Sequence, residues 1–321
     1  MHPVRALMVA ERASSYVKQL PPLPDAIQVI PIDQPAEGVP LAPTADVLCC
    51  WGAGEFIAAP VEAAASRLQW IQALSAGVES VLHLPRVQSG AVLLANARGT
   101  NAPPIAEHVL ACVLALARSL PQAIRAQAQG RWERSLRGQR EVGGATLGLL
   151  GLGAIAHEVA WRAHGLGLRV IGTRRRPAEP LPPHVDALTD LDGVLRNADF
   201  VVVCLPLTAE TRGLLSTANL AKMKAGACLI NVSRGAIVDD AALVAALQAG
   251  RLAGAALDVF TSEPLPESSP LWQAPGVLIT PHVAGASPHT MGRTMALFAD
   301  NLLRFSRGEA LQNVIDPGLG Y

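Results

Sequence analysis

Three short apolar runs in the second half of the chain each lead into a residue that titrates or carries a fixed charge. "LINVSRG" leads to Arg234, "LDVFTSEPLP" to Glu263 and "ITPHVAGAS" to His282. Each has a plain structural reading. Arg234 could cap a turn, Glu263 could be a solvated loop carboxylate, and His282 could be a buried, hydrogen-bonded histidine. As a set they are a chemical kit. A histidine is suited to give or take a proton near neutral pH. An arginine can grip a carboxylate and polarise a neighbouring carbonyl. A carboxylate beside the histidine favours the imidazolium form and fixes its orientation. Hydride transfer to a 2-keto acid needs the first two, a proton donor and a cation, and the carboxylate supports the donor.

Such a transfer also needs a dinucleotide, and "TLGLLGLGAIA" offers a place for one. The apolar run turns at Gly151 into G-x-G-x-x-A. Gly151 permits the tight turn, Gly153 lets the backbone approach a pyrophosphate, and the small Ala156 allows close helix packing. A helix starting there would point free N–H groups at the phosphates. About twenty residues on, a second apolar run ends at Thr173 and is followed by Arg174, Arg175 and Arg176. NAD-binding units place an acid here to accept hydrogen bonds from the adenosine ribose. An arginine cannot accept them, but it can hold a 2′-phosphate. "TRRRP" therefore reads as a selector for NADP(H), with Arg174 and Arg175 as the selecting pair and Arg176, before Pro177, pointing away. Its alternative is a solvated surface turn.

The elements that must position these residues are short. Candidate strands are Ala6–Val9, Val47–Trp51, Trp70–Leu74, Val92–Asn96, Thr146–Leu150, Arg169–Thr173, Phe200–Leu205, Cys228–Val232, Ala255–Val259 and Val277–Thr280. Most are nearly continuous in hydrophobicity, as strands buried on both faces of a parallel sheet must be. Helix-like segments lie between them, among them Pro104–Leu116, Ile155–His164 and Asp240–Gln248, the last closed by Gly250. The alternation predicts an α/β, doubly wound architecture, with ligands outside the carboxyl ends of the strands. One segment differs in character. Ser119–Gly144 is polar, basic and long, and reads either as a linker or as an arm that packs on a second subunit. A domain junction falls on its N-terminal side.

A chain of 321 residues is long for one core, so two domains are expected. Half of the residues are hydrophobic, and 26 basic residues balance 26 acidic ones, which argues against a general nucleic-acid or membrane surface. The N-terminal apolar run, Ala6–Ala10, is too short for a signal peptide, and other apolar runs are too short to span a bilayer. Cys49, Cys50, Cys112, Cys204 and Cys228 form no C-x-x-C pair and lie mostly in apolar runs. They read as buried reduced thiols in a cytoplasmic protein. No metal-ligand cluster is visible, so no metal is expected.

The chain resembles the D-isomer-specific 2-hydroxyacid dehydrogenases, and most of all their glyoxylate/hydroxypyruvate reductase branch. The motifs that carry the resemblance are "SAGVES", "NAPPIAEHVLA", "TLGLLGLGAIA", "CLPLTAETRGLL", "MKAGACLINVSRGAIVDDAAL", "AALDVFTSEPLP" and "ITPHVAGAS", in order along nearly the whole chain. The resemblance implies that His282 is the acid/base, Glu263 its partner and Arg234 the substrate-polarising cation. It implies that the N–H groups of Ala76 and Gly77 hold the substrate carboxylate and that Asp258 contacts the nicotinamide carboxamide. Ala154 and Ile155 would lie over the pyrophosphate, Leu205 and Pro206 past the adenosine, and Gly285 near the nicotinamide. It further implies a flavodoxin-like substrate domain built from residues 1–99 and 287–321. A Rossmann nucleotide domain of residues 100–286 would be inserted in it, with the active site in the hinge cleft. Family members are usually homodimers, which makes residues 119–144 a dimerisation arm.

Two departures from the family pattern stand out. Many relatives carry Arg and Gly where this chain has Ala154 and Ala156, and NAD-using relatives carry an acid at the position of Arg174. The second departure favours NADP(H), with NAD(H) still open. The leading expectation is a reductase of small 2-keto acids, with Trp51, Gly52 and Leu74 lining the substrate pocket. An NAD-linked dehydrogenase of another acid such as 3-phosphoglycerate is the alternative. Against it, the loops around "WGAGEF" and "SAGVES" are poor in the cations a phosphate would want. A nucleotide-sensing binding protein is the remaining alternative, although no partner-binding extension is evident.

Overall fold

The computed structural model describes residues 3–51, 61, 67–136, 138–175 and 180–319. Its strands are β1 (Val4–Val9), β2 (Ile27–Ile32), β3 (Val47–Cys50), β4 (Trp70–Ala73), β5 (Leu93–Ala95), β6 (Thr146–Leu150), β7 (Arg169–Thr173), β8 (Ala187–Leu188), β9 (Phe200–Val203), β10 (Cys228–Asn231), β11 (Gly254–Leu257) and β12 (Val277–Ile279). The longer helices are α1 (Ala102–Ala117), α2 (Leu120–Ala128), α3 (Ala154–Gly165), α4 (Leu191–Asn197), α5 (Asp240–Gln248) and α6 (Thr290–Arg307). They fall into two units, Met1–Thr100 with Ser287–Tyr321, and Asn101–Ala286.

The first unit holds a five-stranded sheet in the order β2-β1-β3-β4-β5, with every pair parallel. This is the flavodoxin-like winding order. All four residues of β3 and of β4 are buried. On one face α6 brings Met295, Phe298 and Leu302 against Trp70, whose ring centre lies 5.8 Å from that of Phe298.

The second unit holds a seven-stranded parallel sheet, β12-β11-β10-β9-β6-β7-β8. Counted from β6, this is the Rossmann order, and its direction of winding reverses between β6 and β9. Ligands of such sheets bind at the carboxyl ends beside that reversal. "FVVV" of β9 is fully buried because helices cover both faces, leaving no face for polar residues. The doubly wound α/β class read from the sequence is thus the architecture observed. Two strands lie outside the sequence reading. β2 contains Pro31 and is half-exposed along its length, and β8 has only two residues. Both lie at sheet edges, where a continuous apolar run is not required.

The helix α1 begins at Ala102, with prolines in its first turn, where the missing N–H costs nothing. Ile105, Ala106, Val109, Leu110 and Val113 face the core beside α3. Ser119 then adopts φ +55°, and α2 leaves at 73° to α1. No single helix among the described residues is long and apolar enough to cross a membrane. After α2 the described residues run without regular structure and are tied back at Arg140. The Arg140 N–H donates to the Ala117 carbonyl (2.8 Å), and its guanidinium lies 4.3 Å from the centre of the Phe200 ring. Trp132, between those anchors, is 91% exposed, so this segment does not fold its aromatic group into its own unit.

Candidate active site

The glycine-rich turn lies between β6 and α3. Gly151 has φ +92°, and a Cβ there would stand 3.0 Å from the Cys204 carbonyl oxygen and 3.1 Å from Leu205 Cδ2. Only glycine takes that conformation freely at so close an approach. The turn is thereby pressed against the end of β9, where Leu205 and Pro206 follow. Gly153 is the N-cap of α3 and brings no side chain to it. Nothing lies within 4 Å of where its Cβ would be. The first N–H groups of the helix, those of Ala154, Ile155 and Ala156, have no earlier carbonyl of the helix to meet. A pyrophosphate fits this open, donor-lined approach.

At the end of β7, Arg174 follows Thr173 directly. Its Nη1 donates to the Pro180 carbonyl at 3.0 Å. Arg175 is exposed and forms a 2.8 Å ion pair with Glu210, which also accepts from the Thr208 hydroxyl. The donor set suits a 2′-phosphate, with Glu210 competing for one of its arginines. Arg176 lies outside the described residues.

Three strand-end loops carry the candidate chemical groups. Arg234 precedes the short turn Gly235–Ile237, and its carbonyl accepts from Asn231 Nδ2 at 3.0 Å. Ser233 donates its hydroxyl hydrogen to the Leu205 carbonyl. A Cβ at Gly235 would fall 1.9 Å from the Phe260 carbonyl carbon, so the loop of Arg234 packs directly on the loop of Glu263. Glu263 Oε1 accepts from the Phe260 N–H at 2.9 Å, and Oε2 lies 2.7 Å from His282 Nδ1. Partial burial pushes the Glu263 carboxyl up. The hydrogen bonds from His282 and Phe260, and the charges of His282 and Arg234, outweigh that and hold it below the usual carboxylate range. A carboxylate only accepts, so His282 Nδ1 carries the hydrogen and Nε2 is the other end of the ring. The His282 side chain is 54% exposed, which rules out the reading of a buried core histidine.

His282 has φ +53°, an uncommon value for a residue with a side chain. The loop around it is fixed by Asp258, which is 2% exposed. Asp258 Oδ1 accepts from Thr280 Oγ1 (2.7 Å) and the Val283 N–H (2.9 Å), and Oδ2 accepts from the Ala284 N–H (2.9 Å). Its carbonyl takes the His282 N–H at 2.8 Å. Gly285 follows, where a Cβ would come 3.3 Å from Asn101 Nδ2. Sequence reasoning did not assign Thr280, nor His108 of "AEH", whose Nε2 lies 3.2 Å from Thr280 Oγ1.

In the other unit, Ala76 and Gly77 follow β4. Asn96 Nδ2 donates to the Ala76 carbonyl at 2.7 Å, and the Ser75 hydroxyl donates to the Gly77 carbonyl at 2.6 Å. The carbonyls are tied, and no acceptor among the described residues meets the two N–H groups. Of the expected pocket residues, Leu74 is a correction. It is 2% exposed and packs in the core of its unit, because β4 delivers it inward. Trp51 is 45% exposed beside Tyr16, with ring centres 6.1 Å apart. Gly52 lies outside the described residues. Among the described residues no cluster of His, Cys, Asp or Glu could hold a metal ion. The five cysteines are free, and burial pushes the thiols of Cys50, Cys112 and Cys204 up to about 12.

The chain is similar to known proteins along most of its length. Residues 110–284 match the family described as D-isomer specific 2-hydroxyacid dehydrogenase, NAD binding domain. The chain is 36% identical to a glyoxylate/hydroxypyruvate reductase B of Pectobacterium carotovorum, across 79% of this chain and 80% of that protein. It is 35% identical to a D-3-phosphoglycerate dehydrogenase of Archaeoglobus fulgidus across 80% of this chain, but spans only 49% of that longer protein. A solved D-isomer specific 2-hydroxyacid dehydrogenase of Xanthobacter autotrophicus, in complex with NADPH and MES, superposes with a TM-score of 0.81. It is 31% identical, with 100% of each chain covered.

Proposed function

The chain belongs to the D-isomer specific 2-hydroxyacid dehydrogenases, nicotinamide-dependent oxidoreductases, and we propose that within them it is an NADPH-preferring reductase of small 2-keto acids such as glyoxylate and hydroxypyruvate. The observation that carries the reading is the 2.7 Å contact of His282 Nδ1 with Glu263, in a site where Arg234 also acts on Glu263. The relative named for glyoxylate and hydroxypyruvate supports the substrate class, and the NADPH complex supports the cofactor.

When bound, the reduced nicotinamide supplies the hydride. The protein's own groups do the rest. Arg234 grips the substrate carboxylate and polarises its carbonyl, and the N–H groups of Ala76 and Gly77 hold the same carboxylate. His282 gives its Nε2 proton to the carbonyl oxygen as the hydroxyl forms, while Glu263 holds Nδ1–H and stabilises the imidazolium beforehand. Gly151, Gly153, Ala154 and Ile155 receive the pyrophosphate. Arg174 and Arg175 take the 2′-phosphate, Leu205 and Pro206 flank the adenosine, and Asp258 and Gly285 line the nicotinamide end. The protein works as a cytoplasmic homodimer, with residues 119–144 as the dimerisation arm.

The second reading keeps the same residues but uses NADH and another acid, such as 3-phosphoglycerate. The Arg175–Glu210 ion pair favours it, because it neutralises one of the selecting cations. The test of the chemistry is His282→Gln. It is expected to remove most of kcat with glyoxylate and hydroxypyruvate at neutral pH while NADPH still binds. Near-normal turnover in that variant contradicts the assignment.

A further inference from the structure

A left-handed residue with a side chain persists only where its surroundings over-determine it. His282 is such a residue, and its determinants can be traced outward. The His282 N–H donates to the carbonyls of both Asp258 (2.8 Å) and Thr280 (3.0 Å). The next two N–H groups, of Val283 and Ala284, end on the two oxygens of the Asp258 carboxylate. Asp258 is therefore the post around which the loop is bent. A buried carboxylate needs donors, and beyond those two backbone groups its third is the Thr280 hydroxyl at 2.7 Å.

A hydroxyl has one hydrogen, and the hydrogen of Thr280 is committed to Asp258 Oδ1, which can only accept. The 3.2 Å contact between Thr280 Oγ1 and His108 Nε2 must then run from the ring to the oxygen, so His108 carries its hydrogen on Nε2. The result is a one-way chain of donors, His108 Nε2–H to Thr280 Oγ1–H to Asp258. Chains of this kind polarise along their length and hold their last acceptor in place. His108 sits on α1, a 16-residue helix whose apolar face is packed into the core, so the chain starts on a rigid support.

We propose that His108 and Thr280 are positioning residues for the proposed reaction: they fix the Asp258 carboxylate, which holds His282 in its left-handed backbone and keeps its imidazole on Glu263. Neither residue touches substrate. The inference rests on the reading of His282 as the proton donor, and the experiment separates failure of the two.

Thr280→Val keeps the shape and removes the hydroxyl, Thr280→Ser keeps the hydroxyl, and His108→Phe removes the first donor. Each is compared with wild type and with His282→Gln for kcat, substrate KM, NADPH Kd and amide exchange of residues 282–284 in the cofactor-free protein. Thr280→Val is expected to lower kcat about tenfold or more, with KM and Kd changed by less than about threefold. It is also expected to speed exchange of the 282–284 amides. Thr280→Ser restores both readouts, and His108→Phe reproduces both losses in smaller measure, so it carries the test if Thr280→Val fails to fold. Wild-type kcat and unchanged exchange in Thr280→Val, with His282→Gln inactive, overturn the positioning role alone. Equal losses in Val and Ser also overturn it, because the hydroxyl is then not the agent. Full turnover in His282→Gln overturns the reading beneath it.

Discussion

Among single residues, one contact between an imidazole and a carboxylate carries the proposed chemistry. Glu263 is held below the usual carboxylate range, so it is charged throughout the neutral region. A lowered folded-state value means that the contact stabilises the protein above the ordinary carboxylate range, and that this contribution is lost as pH falls through the folded-state value. Removing the charge leaves His282 Nδ1 without its carboxylate acceptor. Glu263→Gln is therefore expected to lower kcat/KM for reduction at neutral pH about tenfold or more. Wild-type kcat/KM would show that Glu263 acts only on the surface. The three candidate groups were legible in the sequence because each follows a short apolar run that must be a strand. His108 and Thr280 were not legible. They meet across 172 residues, and a hydrogen bond at that separation leaves no periodic mark.

At the scale of elements, glycine decides how closely two strand-end loops can approach. Gly235 places the loop of Arg234 against the Phe260 carbonyl, and a side-chain carbon there would overlap backbone rather than a movable side chain. Gly235→Ala is expected to cost about 3 kcal/mol of unfolding free energy, measured by denaturant titration. It is also expected to lower activity, because Arg234 and Glu263 are forced apart. Wild-type stability would mean that the two loops are not in register as described. Strands were readable where both faces are buried, as in β9 and β10, since a continuous apolar run of that length suits a position with no solvent face. β2 escaped because Pro31 and an exposed edge broke its run, and β8 because two residues carry no pattern.

In the whole molecule four of the five thiols are buried and Cys204 is partly so, and Cys228 Sγ meets Arg140 Nη2 at 3.3 Å. Burial raises every one of them, so thiolate is scarce near neutral pH. Labelling by a thiol-specific disulfide reagent is expected to be slow in the folded protein and to become complete on unfolding. Rapid labelling of the native protein would show that a thiol is open to solvent. The surface raises a different question. Trp132 stands 91% exposed on a segment that Arg140, further along, anchors to its own unit. A second copy covering that indole is the proposed reason. Trp132→Glu is expected to shift the mass measured by light scattering from dimer toward monomer. An unchanged mass would remove the arm from the interface. Oligomeric state is not legible from residue patterns, because an exposed polar segment looks the same whether it is a linker or an arm; the dimer is what the family resemblance implies.

The proposed cofactor preference is tested by comparing NADPH with NADH as reductant of glyoxylate and hydroxypyruvate, by initial rates, in wild type and in Arg174→Asp. NADPH is expected to be favoured about tenfold or more in kcat/KM, a difference of about 1.4 kcal/mol, and Arg174→Asp to remove that advantage. Equal or better rates with NADH in the wild type would contradict it and reduce "TRRRP" to a solvated turn.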